Sequence, residues 1–298
     1  MNRSFANLSV GSILKLIYIE VKLSSIKMEI PHYDQLIREI ARAADPDPVI
    51  EDIRIYTNWV LVKAGKWSLS TIFRGMPGLT DPAGMDSWMG DWLQKPGKES
   101  ALELLSSTET LRRAVGMACL KSLLPDPCPI IPGNAIDMVR DAAARVPTCF
   151  VGYFKEGAEW REMGWPVDIV ELFPRPGDIH WNDADEVLSR AQVVLMSGLT
   201  VVNETLAAVI RRTPHAKIRI MMGPTVPPSP ALFACGLDLI GVTLVQNMEL
   251  MARYAELGGG SIAYSPPGAL ERVNMVKDIS AFKMKLLSLC DSINETGE

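Results

Sequence analysis

Met196-Ser-Gly-Leu-Thr-Val-Val-Asn-Glu-Thr205 continues the apolar run Gln192-Val-Val-Leu-Met196, and Asn203–Arg212 then reads as a helix. An apolar strand, a turn of small residues and a helix, in that order, are the working half of a parallel crossover unit. The texture extends in both directions. Thr148-Cys-Phe-Val151, Val167–Phe173, Ala216–Met222 and Leu237–Val245 read as strands. Ala135–Ala144, Asp183–Arg190, Pro230–Cys235 and Met248–Leu257 read as helices between them, and Leu270–Ile293 as one or two terminal helices. Apolar strands alternating with helices specify a parallel sheet covered on both faces, an α/β fold of Rossmann type.

The other half reads differently. Tyr33, Leu36, Ile37, Ile40, Ala41 and Ala44 recur at helical spacing, and Asp45-Pro-Asp-Pro48 stops that helix. Val49–Tyr56, Trp59–Ala64 and Trp67–Phe73 are β-branched and aromatic runs broken at Asn58 and Ala64-Gly-Lys66, which predicts an antiparallel meander. Lys98–Ser106 and Thr108–Leu124 read as helices, with Gly116 inside the second marking close backbone packing. Between meander and helices, Arg74–Lys98 holds turn-formers and Trp88, Met89, Trp92 and Leu93; it packs onto the meander or, alternatively, covers a ligand. Pro125-Asp-Pro-Cys-Pro129 divides the textures. The expected organisation is a disordered extension at 1–27, a small α+β domain at 28–130 and the Rossmann-like domain at 134–298.

A formal charge of −5 argues against a nucleic-acid partner, which would require clustered Lys and Arg. Ser12–Val21 is apolar but short and is interrupted by Lys15 and Glu20, so no membrane span is expected there. Cys119, Cys128, Cys149, Cys235 and Cys290 are odd in number and widely spaced, which fits a reduced, cytoplasmic setting and no thiolate metal cage. His32, His180 and His215 form no HxH or HExxH, and neither GxGxxG, a phosphate loop nor a GxSxG elbow is present. Asp168, Glu171 and Asp178 lie on or near one strand and read as edge or cap residues.

In an open parallel sheet, ligands bind beyond the carboxyl ends of the strands. The residues there are Gly152-Tyr-Phe154, Ser197-Gly-Leu-Thr200, Gly223-Pro-Thr225 and Gly241-Val-Thr243. Glycine permits close backbone approach, and hydroxyls supply adaptable hydrogen bonds. Asn203 reads as a helix N-cap whose dipole would favour an anion. Four prolines stiffen Gly223-Pro-Thr-Val-Pro-Pro-Ser-Pro230 into a wall, and Gly258-Gly-Gly260, with no Cβ over three positions, suits a flexible hinge or a close backbone contact, or is a plain loop. The expected ligand site is Gly152, Ser197, Gly198, Thr200, Asn203, Thr205, Gly223, Pro224 and Thr225; the sequence names no nucleophile or general base.

Ser197-Gly-Leu-Thr-Val-Val-Asn-Glu-Thr205 resembles the motif T-G-[ST]-T-L-x-N-x-T. Gly223-Pro-Thr225, with Leu232-Phe-x-x-Gly236 after it, resembles a G-P-[ST] element, and Val151-Gly152 a V-G strand end. Together they are similar to the heavy-metal chelation domain family, a Rossmann-like domain of unknown function. Ala114-Val-Gly-Met-Ala-Cys-Leu-Lys121 and the meander before it are similar to the enolase-N-terminal-like domain that precedes it in that family. The resemblance departs at Leu199, usually a hydroxyl residue, and at Lys121, often Asn. It implies binding of a transition metal or of a metal-chelating small molecule. Because His and Cys are sparse, the metal would arrive within a ligand or sit between subunits of a homo-oligomer. The alternatives are an enzyme, a transferase or lyase using a nucleotide-like or pterin-like cofactor, and a scaffold with an empty crevice.

Overall fold

Apolar residues of Trp59-Val-Leu-Val-Lys-Ala64 fill the middle of a three-stranded antiparallel sheet in the computed structural model, which describes residues 30–72 and 89–291. The strands are β1 (Asp52–Ile55), β2 (Trp59–Ala64) and β3 (Lys66–Thr71), in the order β1-β2-β3. Ala64 pairs with Lys66 across Gly65, whose φ of +88° only glycine adopts readily. Helix α1 (Tyr33–Ala41) buries Leu36, Ile37 and Ile40 and stops three residues before the expected Ala44. Helices α2 (Gly97–Leu105) and α3 (Thr110–Leu123) pack against each other, and α3 also covers β2 and β3. The expected extension at 1–27 and residues 73–88, with Trp88, Met76 and Met85, lie outside the described residues. Met89–Leu93 forms a short turn in which Trp92 is buried, and Ile50 accepts from and donates to the chain at Gln94 and Lys95.

The second sheet has eight strands in the order β4-β11-β10-β9-β8-β5-β6-β7. After β4 (Ile131–Pro132) come α4 (Ala135–Met138), α5 (Arg140–Ala143) and β5 (Thr148–Val151). Then follow α6 (Lys155–Glu162), β6 (Val167–Glu171), β7 (Ile179–His180), α7 (Asp185–Arg190) and β8 (Val193–Ser197). The chain continues through α8 (Leu199–Val202), α9 (Leu206–Arg212), β9 (Ile218–Gly223), β10 (Leu239–Val245), α10 (Met248–Glu256), β11 (Leu270–Val276) and α11 (Ile279–Asp291). Strands β5 to β10 are parallel; β11 and β4 run antiparallel at one edge. Phe150, Ile169, Leu195, Ile220 and Leu239 project to one face and pack with Phe282 and Leu289 of α11.

Four expectations need correction. Leu270–Val276 is a strand and not a helix: it follows Gly268 at φ +80° and pairs with all seven residues of β10. Ala135–Ala144 is two short helices, and α6 and β7 are additional elements. Asn203–Arg212 is not one helix, because Glu204 turns left-handed at φ +62° between α8 and α9. Gly241–Thr243 lies within β10 and not beyond its end.

Gly116 brings α3 against α2: a Cβ there would stand 2.9 Å from Leu104 Cβ and from Leu105 N. Alanine gains about 1 kcal/mol of helix propensity, whereas overpacking against backbone costs about 1–3 kcal/mol. Gly116→Ala is therefore expected to destabilise the protein despite its better propensity, with a lower urea midpoint at unchanged m-value. An equal or higher midpoint would show that the helices separate freely.

Candidate functional site

The six parallel strands run β7-β6-β5-β8-β9-β10, so the chain winds outward in both directions from the β5–β8 pair. That pair is the switch point of a doubly wound sheet, where a crevice opens beyond the carboxyl ends. A cleft of about 770 Å³ lies there. Gly152 (φ +107°) leaves β5, and a Cβ on it would stand 2.9 Å from Ser197 Cβ at the end of β8. The missing side chain therefore lets the two strand ends meet.

Gly152, Ser197, Thr200, Asn203, Thr205, Gly223 and Pro224 all line this cleft. Gly198 and Thr225 do not. Gly198 packs against the next loop, with Val226 N 2.7 Å from where its Cβ would be, and Thr225 is buried with Oγ1 accepting from Thr71 N–H at 3.1 Å. Asn203 is no N-cap: its Oδ1 accepts from Thr205 N and Thr205 Oγ1, closing the turn between α8 and α9. Those helices span four and seven residues, too short for the expected dipole to dominate the cleft. Ser197 Oγ accepts from Leu199 N–H, and Thr200 Oγ1 donates to Ser197 O. Among the described residues, no hydrogen bond takes the Ser197 hydroxyl proton or the Asn203 amide Nδ2, which leaves both as donors toward the cleft.

The opposite wall comes from the small sheet, through Asn58, Trp59, Thr71 and Ile72. The Gly258-Gly-Gly260 segment is a contact and not a hinge: Trp59 Nε1 donates to Gly259 O at 2.5 Å and Asn58 Nδ2 to Gly258 O at 3.1 Å. Two further loops are pinned from α3. Arg113 pairs with Glu204 and donates to Val202 O at 3.3 Å. Lys121 Nζ donates to Leu69 O at 2.8 Å and to Pro224 O. Trp92 lies outside the lining.

Glu171, Arg272 and Asn274 also line the cleft and were not among the expected residues. Asp168 and Asp178 do serve as paired edge groups, with Arg190 at 2.8 Å and Arg161 at 3.0 Å. Glu171 differs: burial raises its carboxyl from its ordinary value, opposed by the neighbouring backbone N–H groups of Tyr153 and Leu172. In the sequence it reads no differently from Asp168 and Asp178. Asn274 donates to Ile131 O and Gly133 O, holding β4 beside the cleft, but its strand reads as helix in the sequence.

The described residues do not fit a bare metal ion. No group of three or more His, Cys, Asp or Glu among them is placed to hold one. His180 Nδ1 accepts from Asn182 N–H and caps a turn. Burial pushes the Cys119 thiol up to about 12 and the Cys235 thiol up to about 11, and raises Cys149 too; such thiols are poor ligands. No helix among the described residues is long and apolar enough to cross a membrane.

Burial, and secondarily the charge of Lys66, lowers Lys121 from 10.5 to about 7. Between those values the unfolded chain binds the proton and the folded one does not, so this residue makes stability rise with pH across that window. Melting temperature measured from about pH 7 to pH 10 is expected to climb relative to Lys121→Met. Parallel curves for the two proteins would refute the assignment.

Two family models match, both described as "Putative heavy-metal chelation": one over residues 37–124, the other over residues 134–274. A curated relative, an uncharacterized protein of Methanocaldococcus jannaschii, is 31% identical over 97 residues, which are 32% of this chain and 37% of that protein. The chain therefore spans little more than a third of that relative's length. Two crystal structures of proteins with unknown function from the family matched by the second model share the fold. The one from Desulfitobacterium hafniense has TM-score 0.71 and 18% identity, covering 81% of this chain and 98% of its own. The one from Pyrococcus horikoshii has TM-score 0.63 and 16% identity, covering 82% and 99%. The sequence motifs, the doubly wound sheet and the two matched segments together establish that the chain belongs to the heavy-metal chelation family.

Proposed function

We propose that the protein binds a small metal-chelating molecule in the cleft at the ends of β5, β8 and β9, and handles metal only as part of that molecule. The observation that carries this reading is the cleft itself. It has about 770 Å³ of space at the switch point, a size suited to a small organic ligand. Its lining offers hydroxyl, amide and backbone groups in place of a set of side-chain metal donors. A chelator brings its own donor atoms, so the protein need only recognise its outer surface. The small domain read at 28–130 gives one wall and the Rossmann-like domain at 134–298 the other. A second reading, a transferase or lyase using a nucleotide-like or pterin-like cofactor, is favoured by the strand order, since sheets wound this way commonly carry such cofactors at the same crevice.

Native mass spectrometry of freshly isolated full-length protein, with elemental analysis of the same sample, tests the first reading. A retained small molecule, with metal in fixed ratio to it, is the expected result. Asn203→Asp keeps the Oδ acceptor for Thr205 but removes the amide donor, and should lower retention about tenfold with little change in melting temperature. Metal bound without any organic mass would overturn the proposal, as would retention indifferent to Asn203→Asp. Turnover of a cofactor-linked substrate would favour the second reading.

A further inference from the structure

We propose that the β5–β6 side of this cleft is a ribonucleoside subsite, in which the Glu171 carboxylate accepts hydrogen bonds from the cis-diol of a ribose. The inference rests on the reading that the cleft holds a small ligand, and names part of that ligand.

The argument starts from topology. The order β7-β6-β5-β8-β9-β10 makes β5 the first strand of the doubly wound sheet and β6 the second. In such sheets an acidic residue about 20 positions beyond the first strand's glycine turn reaches the ribose hydroxyls. Glu171 is the last residue of β6, 19 positions after Gly152, and it lines the cleft. The backbone N–H groups of Tyr153 and Leu172 lie beside it and favour its charged form. Asp168 and Asp178, the other acids on that stretch, are consumed by arginines and lie outside the lining.

The first crossover has a second feature of a nucleoside site. Gly157 in α6 sits against Phe150, with its absent Cβ 2.9 Å from that ring, so the helix packs directly on β5. Close helix–strand packing is the task of the last glycine in the dinucleotide fingerprint. The middle glycine is missing. Tyr153, Phe154 and Lys155 stand where the backbone would be bare; all three line the cleft, with the Phe154 ring packed on Phe150 and Lys155 paired with Glu159. A side chain at position 154 replaces the bare glycine over which a diphosphate approaches the main chain in the fingerprint. The ligand is therefore a nucleoside without a diphosphate seated there. Glu171 would repel a phosphate on the ribose 2′-oxygen, which excludes a 2′-phosphorylated ligand as well. Aromatic surface for a base is at hand in Tyr153 and Trp181, with Arg175 stacked 3.4 Å over the Tyr153 ring.

The test titrates full-length protein with adenosine, guanosine, cytidine and uridine, and with the 2′,3′-dideoxy form of each, by calorimetry. At least one ribonucleoside is expected to bind, with its dideoxy counterpart at least tenfold weaker. Glu171→Gln, which keeps the size of the side chain but weakens its acceptors, should shrink that preference to within about threefold. Glu171→Asp, a shorter carboxylate, serves if the glutamine variant does not fold, and should weaken ribose binding while sparing the dideoxy form. Equal affinity for ribo and dideoxy forms would overturn the subsite. So would failure of every ribonucleoside to bind or to displace the molecule found in native mass spectrometry. If that molecule is retained and sensitive to Asn203→Asp while no ribonucleoside binds, only the ribose inference falls. If the cleft retains nothing and binds no nucleoside, both proposals fall together.

Discussion

Two basic side chains on α3, Arg113 and Lys121, tie the loops at two strand ends of the large sheet to the small domain. Arg113 holds the turn at Val202–Glu204, and Lys121 holds Pro224 while also reaching Leu69 of β3. A strand-end loop is ordinarily the most mobile part of an α/β sheet, because few of its backbone groups are paired. Here these two loops, which border the cleft, are bonded to a helix that is itself packed on β2 and β3. Removing either side chain would leave buried or half-buried carbonyls without these donors, a penalty of about 1–3 kcal/mol for each. The cleft is thus bounded by two sheets whose spacing is set by hydrogen bonds across them, and Trp59 and Asn58 on the Gly258–Gly259 backbone add a third point of attachment.

Elements defined by local pattern were legible from the residues alone. Strands β2 and β5 lie where their β-branched and apolar runs begin and end, and the turn at Gly65 follows from a backbone only glycine enters easily. What failed depended on distant partners. Leu270-Glu-Arg-Val-Asn-Met-Val276 mixes residues that a helix accepts, and pairing with the distant β10 and β4 makes it a strand. Asn203 looks like a cap because Asn favours helix starts, yet the left-handed Glu204 beside it closes a turn instead. At the site, glycines and hydroxyls at strand ends were visible, but their roles were not. Thr225 and Gly198 are spent on packing one loop against another, which spacing along the chain does not reveal. Glu171 could not be told from Asp168 and Asp178 until arginines 22 and 17 positions away claimed the other two.

That division bears on the kind of ligand the cleft selects. An anion was expected from a helix dipole at Asn203, but the helices there are too short to supply much field. The charges that line the cleft are mixed instead: Glu156 and Glu171 against Lys155, Arg175 and Arg272. A lining of both signs, with hydroxyls and amides between, orients a polar molecule without requiring net charge of either sign. The same lining explains how a chain of this family can lack a metal cage among its described residues. Burying a cation without ligands carries a desolvation cost of several kcal/mol, which hydroxyls and amides offset poorly. A metal whose coordination is completed by an organic chelator has already lost that water. On the proposed reading the protein would then meet a neutral or weakly charged surface, for which a lining of mixed charge, hydroxyls and amides is suited. Chelator recognition and ribose recognition are compatible in such a volume, because the Glu171 end and the Asn274 end lie on opposite flanks of the strand switch.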